Sequence, residues 1–220
     1  MIRILALETS GPACGVALLA LADRPPSAAV ALVRGRLTMR VAAPEAGRHA
    51  ETVHGLLEAV LRAARVGLRD LDGVAVSIGP GSFTGLRVGL AAAKVLAVFG
   101  SLPLAGVPTL AAMALEAENL DFREILATRD AGRGQVYAAR FRSGPTGPRP
   151  AGGPWILEAA VAASRVPADA RRMTEVPSAA AVAALGAMRI LAGRRDDPDR
   201  LVPLYLRRPQ AEELRRARGR

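Results

Sequence analysis

The run from Ser77 to Gly89, Ser-Ile-Gly-Pro-Gly-Ser-Phe-Thr-Gly-Leu-Arg-Val-Gly, constrains this chain more than any other segment. It closes an apolar stretch, Leu71 to Ile78, and opens a stretch of small and apolar residues from about Thr84 to Phe99 that includes Gly89, Ala91, Ala92, Ala93 and Ala97. An apolar run of strand length, a glycine–proline break and then a helical run read as strand, turn and helix. The same alternation continues on either side. Ile2 to Leu7 and Gly15 to Leu21 form a hairpin across the Glu8-Thr9-Ser10-Gly11-Pro12 turn signal. A third strand is expected at about Ala28 to Val33, after the turn from Asp23 to Ser27 that carries Pro25 and Pro26. Ala50, Val53, Leu57, Val60, Leu61 and Ala64 then fall at helical spacing and predict an amphipathic helix, and Pro103 and Pro108 bracket a further short strand. Strands alternating with helices in this order predict an α/β domain built on a mixed sheet.

A fainter second copy follows. Arg3-Ile4-Leu5-Ala6 is echoed by Glu124-Ile125-Leu126-Ala127, and each run leads through an acidic residue and a glycine-bearing turn into another strand, here Gln135 to Phe141. Such an echo predicts duplicated lobes. After Gly144 the chain turns rich in Pro, Gly and Ala, with one clear helix from Ser178 to Leu191, so the second lobe should be abbreviated. The expected division is an N-terminal lobe over 1–105, a smaller lobe over 106–206 and a basic tail over 207–220.

Half of the residues are apolar, enough to exclude a disordered chain. Apolar stretches such as Ala13 to Ala22 fall short of the roughly 18 residues of a bilayer-spanning helix, so no membrane partner is expected. The short apolar run at the start contains Glu8 and lacks a cleavage pattern, which predicts a cytoplasmic location. Cys14 is the single cysteine, excluding an internal disulfide. The net charge of +10 raises a nucleic-acid reading. Only the tail concentrates it, in Arg207, Arg208, Arg215, Arg216, Arg218 and Arg220 against Glu212 and Glu213; an RNA contact and a solvated terminus both fit. An aromatic content of 3% leaves few stacking platforms for single-stranded bases.

A glycine-rich turn before a helix can present backbone N–H groups to an anion. Here the nucleotide fingerprints fail. A phosphate-binding Walker loop needs Gly-Lys before Ser or Thr, and the one lysine, Lys94, lies on the following helix; the dinucleotide pattern would need glycine where Thr84 stands. An anion site and a structural turn capped by Ser82 or Thr84 stay equally open. His49 and His54, five apart on one helix, point about 140° away from each other and cannot share a metal through it. No His-Glu-x-x-His motif exists, which excludes that class of zinc peptidase. Gly85, Gly89 and Ala93, four apart, make a smooth ridge along which a partner helix could lie.

Five segments carry a resemblance: Leu5 to Leu18, Ser77 to Leu90, Gly106 to Leu110, Asp130 to Tyr137 and Pro203 to Arg207. In content and order they resemble the landmarks of the TsaB (YeaZ) family, and the Gly79-Pro80-Gly81-Ser82-Phe83-Thr84-Gly85-Leu86-Arg87 run is the specific one. The resemblance implies a two-lobed actin, sugar-kinase and Hsp70-like (ASKHA) fold. It implies a non-catalytic partner of the catalytic subunit TsaD, which with the ATPase TsaE places a threonylcarbamoyl group on tRNA adenosine. It implies a homodimer when the chain is alone. ATP and a metal ion then belong to the partner subunits, with no cofactor of the chain's own. Partner-docking or loop residues are then Gly79, Pro80, Gly81, Ser82, Phe83, Thr84, Gly85, Arg87, Gly89 and Ala93, on a surface made by the helices at about Arg48 to Arg65 and Thr84 to Phe99. Glu8, Thr9 and Ser10 are the counterpart of the superfamily's phosphate turn.

Two positions depart from the family pattern. Glu8 stands where the first strand usually ends in Asp, and Gly132 where the second hairpin usually has Arg after Asp130-Ala131. A side chain one methylene longer displaces a hydrated Mg²⁺ shell, which disfavours ATP turnover. An independent ATP-dependent kinase or hydrolase of the same fold is the alternative function, and a hydrogen bond within the hairpin turn the alternative role for Glu8.

Overall fold

The structure, a computed structural model, describes residues 1–45, 48–117, 123–144 and 147–207. Its first sheet has the order β3-β2-β1-β4-β5, from β1 (Ile2–Glu8), β2 (Cys14–Leu21), β3 (Arg36–Ala42), β4 (Gly73–Gly79) and β5 (Leu104–Pro108). β1, β2 and β3 pair antiparallel, whereas β4 runs parallel to both β1 and β5. Successive side chains of a strand point to opposite faces. Leu5, Leu7, Val16, Leu18, Val74 and Val76 therefore face α2 (His49–Ala64) and α3 (Phe83–Gly100). Ile4, Ala6, Leu19, Ala75 and Val107 face α1 (Ala28–Arg34), α4 (Thr109–Ala117) and α6 (Ala179–Leu191) on the other side. Burial on both faces is why these strands read as unbroken apolar runs. Seven of the thirteen residues of α6 are alanine or glycine for a spatial reason: a Cβ added at Gly186 would stand 2.3 Å from that of Ala75, so this helix lies directly on β4.

The expected strand over Ala28 to Val33 is corrected to helix α1. Ser27 caps it, its Oγ accepting the Val30 N–H at 3.2 Å, and Gly35 ends it by donating to the Ala31 carbonyl at 3.0 Å. The third strand lies just beyond, on an edge whose Arg36-Leu37-Thr38-Met39-Arg40 alternation suits a half-solvated sheet face. α3 is long and apolar enough to cross a membrane. In this fold one face of it, Gly85, Leu86, Gly89, Leu90, Ala93 and Ala97, is buried.

The second sheet has the order β8-β7-β6-β9, from β6 (Glu124–Gly132), β7 (Gln135–Arg142), β8 (Arg149–Glu158) and β9 (Arg171–Met173), flanked by α5 (Ala159–Ala163). The antiparallel pair β6–β7 is flanked by antiparallel β8 and parallel β9 as the pair β1–β2 is flanked by antiparallel β3 and parallel β4, so the sequence echo is a structural repeat. The boundary placed at 105 is corrected, because the chain comes back. α6 covers the first sheet; Asp196 donates its N–H to the Leu104 carbonyl at 2.8 Å and accepts the Gly106 N–H at 2.7 Å; Leu204 donates to the Ile78 carbonyl at 2.7 Å. A helix apolar on nearly all sides needs a sheet to cover it, and the first sheet had a bare face. The first lobe is thus 1–108 with 179–205, and the second is 124–173. Of the expected tail only Arg207 is described; Arg208, Arg215, Arg216, Arg218 and Arg220 lie outside the described residues.

Candidate functional site

The carboxyl ends of β1 and β4 meet at the Glu8-Thr9-Ser10 turn, and all three residues are buried. The turn is held from within. Ser10 donates its N–H to Glu8 Oε1 at 2.6 Å, Thr9 donates to Ser77 Oγ at 3.2 Å, and the Ser10 carbonyl accepts both the Ser82 N–H at 2.7 Å and Arg129 Nη2 at 3.1 Å. Arg129 comes from β6, so this last bond joins the two lobes. Asp130 repeats the device in the second lobe, accepting the Gly132 N–H at 2.8 Å. Each lobe therefore ends its first strand with an acid bonded to the N–H two residues on.

The glycine run packs α3 onto that turn. Gly79 adopts φ +102°, a conformation that favours glycine, and leads into a cis bond to Pro80. Ser82 caps α3, its Oγ accepting the Gly85 N–H at 3.2 Å, while Thr84 is exposed. A Cβ added at Gly81 would lie 2.4 Å from the Ser10 carbonyl oxygen, at Gly85 2.1 Å from that of Thr9, and at Gly89 2.1 Å from Thr9 Oγ1. The ridge of Gly85, Gly89 and Ala93 expected to receive a partner helix is thereby corrected. It is buried against the chain's own first turn and sheet, because small residues at this spacing let α3 approach its own backbone.

Burial pushes the Glu8 carboxyl up to about 6, against hydrogen bonds from Ser10 and Ser77 and the positive charge of Arg129, which lower it. The Arg129 guanidinium is pulled down by its own burial and held up by Glu8 and Asp130. Three buried oxygens of the turn, Glu8 Oε2, Thr9 Oγ1 and Ser10 Oγ, have no hydrogen-bond partner among the described residues, whereas the Ser10 N–H already serves a carboxylate and α3 closes over the turn. Among the described residues no three His, Cys, Asp or Glu side chains could hold a metal, His49 and His54 included. Sequence reasoning missed Arg129; its one signal was a cation inside a strand immediately before the acid of the second hairpin.

Opposite the buried ridge, α3 shows solvent a different stripe. Val95 is 54% exposed, Val98 58% and Phe99 86%, and α2 lies alongside. At the start of the helix the Phe83 ring packs on Tyr205, centroids 5.2 Å apart, and carries the Arg87 guanidinium 5.1 Å above it. Phe83, Thr84 and Arg87 are the exposed members of the glycine run.

The family model of TsaD, tRNA N6-adenosine threonylcarbamoyltransferase, matches residues 41–167, more than half of the chain. The tRNA threonylcarbamoyladenosine biosynthesis protein TsaB of Escherichia coli is 33% identical over 146 residues, 66% of this chain and 57% of that protein. YeaZ from Pseudomonas aeruginosa superposes with a TM-score of 0.75 at 25% identity, covering 94% of this chain and 100% of that one. The chain belongs to the TsaB (YeaZ) family. An uncharacterized protein of Mycobacterium tuberculosis aligns over more of the chain, 31% identical over 221 residues, 96% of this chain and 94% of that protein. The two-lobed ASKHA fold expected of the family is the fold found. The family's specific glycine motif is the segment that seats α3 on the first-strand turn.

Proposed function

We propose that this chain is a scaffolding and activating subunit in the formation of N6-threonylcarbamoyladenosine in tRNA, binding a TsaD-type catalytic subunit and performing no chemistry itself. The exposed Val95, Val98 and Phe99 stripe carries the proposal. A large aromatic side chain and two branched aliphatics on one outer helix face are what a buried helix–helix contact uses. α2, which packs against α3, exposes Glu51, His54, Glu58 and Arg62, and a polar rim commonly accompanies an apolar contact. A second copy of this chain would cover the same stripe when the catalytic subunit is absent. Family membership and the closure of the Glu8 turn by α3 support the division of labour, with ATP and metal handled by TsaD-type and TsaE-type partners in the cytoplasm and tRNA reached through the assembly.

The test is Val95→Asp with Phe99→Ser, measured by calorimetric titration against the host's TsaD-type subunit. Burying a charge and deleting an aromatic anchor should weaken binding by at least about 30-fold, roughly 2 kcal/mol, at an unchanged melting temperature. Wild-type affinity in a folded variant overturns the docking surface. Metal-dependent ATP turnover by the purified chain, abolished in Glu8→Ala, overturns the non-catalytic role.

A further inference from the structure

At the C-terminal end of α2 the molecule has a second surface feature, an open groove of about 430 Å³ between the last turn of that helix and the edge of the first sheet. Its walls carry Arg3 from β1, Arg36 and Thr38 from β3, and Arg65 after α2, over a floor that includes Leu18 and Ala20. The register explains the placement. Arg36 pairs with Ala20 and Thr38 with Leu18, and residues two apart on a strand share a face, here the one α2 covers. Arg65 arrives by a turn of the backbone: it ends the helix at φ 55°, ψ 45°, its N–H bonded back to Leu61 and Arg62 carbonyls. That left-handed position is ordinarily filled by glycine or asparagine, so an arginine stands there against local preference.

Among the described residues, no acidic residue lines the groove. Arg3 donates to the Asp70 carbonyl at 3.3 Å, and the nearby carboxylates of Asp70 and Asp72 accept the backbone N–H groups of Gly67 and Arg3. Among the described residues, Arg36 and Arg65 form no ion pair and no side-chain hydrogen bond. Three arginines from three separate elements line one open groove, and two of them, Arg36 and Arg65, have no carboxylate partner among the described residues, so their like charges favour the entry of an anion. Guanidinium groups match phosphate in shape and charge. Their spread over three elements suits a chain of phosphates better than a single enclosed ion.

We infer that this groove holds the phosphodiester backbone of RNA; the choice of RNA among polyanions rests on the proposed role in tRNA modification. The contact reads no sequence and positions the nucleic acid by charge.

The experiment is fluorescence anisotropy of a labelled tRNA transcript with the full chain over a series of salt concentrations. It compares wild type with Arg36→Gln/Arg65→Asn, asparagine being chosen because it accepts the left-handed backbone. Removing one arginine from its phosphate should flatten the slope of log affinity against log salt by about 1, so the double variant should be flatter by about 2. The weakening should be equal for unrelated tRNAs, Arg36→Lys should keep the wild-type slope, and millimolar inorganic phosphate should not displace the transcript. A wild-type slope in the double variant, absence of tRNA binding by the wild type, or displacement by inorganic phosphate overturns the inference. Co-purification with the TsaD-type subunit separates the two proposals. A double variant that keeps its partner and its salt slope leaves the scaffold role standing and removes the groove. A wild-type chain that binds tRNA through Arg36 and Arg65 but no partner does the reverse.

Discussion

Alanine substituted for three helical glycines should give three different stabilities, and the structure sets their order. In a helix interior the exchange gains about 1 kcal/mol from backbone entropy and propensity when nothing obstructs the new methyl group. Gly55 on α2 is that case, with no atom within 4 Å of an added Cβ. Gly55→Ala should raise the melting temperature by about 2–4 °C. At Gly89 the methyl group would fall 2.1 Å from Thr9 Oγ1 and 3.0 Å from its Cγ2. Those are side-chain atoms, so rotation and a small shift relieve the overlap, and the overpacking cost of about 1–2 kcal/mol roughly cancels or slightly exceeds the helix gain. At Gly85 the obstacle is the Thr9 carbonyl oxygen at 2.1 Å. That oxygen is backbone, in a turn held by the Thr9–Ser77 and Ser10–Glu8 hydrogen bonds, and cannot rotate away. Gly85→Ala should therefore incur the upper end of overpacking, about 3 kcal/mol, for a net loss of about 2 kcal/mol and a melting temperature lower by about 4–8 °C. Differential scanning calorimetry on the three variants checks the order, and Thr9→Ala should recover much of the Gly89→Ala loss while leaving Gly85→Ala unimproved. If Gly85→Ala is as stable as Gly55→Ala, α3 does not rest on the first turn, and the account of the glycine motif fails.

Two further outcomes follow from the buried polar groups. Glu8 has its carboxyl raised from 4.5 to about 6 in the folded protein, so the folded state binds the proton more tightly, and the contribution of Glu8 to stability is full below about pH 4.5 and is lost as pH rises through 6; Glu8→Gln keeps an acceptor for the Ser10 N–H, should remove that component of the pH dependence, and should gain about 2 kcal/mol at pH 7 in urea unfolding measured across the range. Arg207 reaches from the C-terminal segment to the second hairpin, donating to the Ala131 carbonyl at 2.5 Å and to Gln135 Oε1, so Arg207→Ala should lower stability by about 1 kcal/mol, read as a shift in the urea midpoint at constant slope.

The parts of this fold legible in the sequence are those where local pattern and tertiary demand agree. The β1–β2 hairpin, the amphipathic α2, the strand–turn–helix of the glycine run and the Ala-rich α6 each announce themselves by period or punctuation, and β6 and β7 by their likeness to β1 and β2. Ala28 to Val33 misled because a short apolar run has no period long enough to separate strand from helix; the deciding signal was Ser27 in capping position and Gly35 as a stop. β8 was hidden by Gly152, Gly153 and two prolines, residues that an edge strand tolerates and a central one does not. The return of α6 to the first sheet is not local information at all. It depends on which sheet face lacks a cover, which is known only once the other helices are placed.

The same limit explains the misreading of the small-residue stripe, and resolving it connects the motif to the surface. Spacing of four identified Gly85, Gly89 and Ala93 as a close-approach face without saying what approaches. Once that face is turned toward Thr9, the helical period leaves no freedom for the rest of α3: Ala91, Val95 and Val98 must point roughly the opposite way, and they are the exposed ones. The glycines therefore orient the proposed docking stripe without forming part of it. The two sets of positions should then separate experimentally, stability responding to Gly85 and association to Val95 and Phe99. An anion loop would couple them differently, since its glycines would have to remain open to a ligand, and in this chain they are closed by the chain's own Thr9 and Ser10.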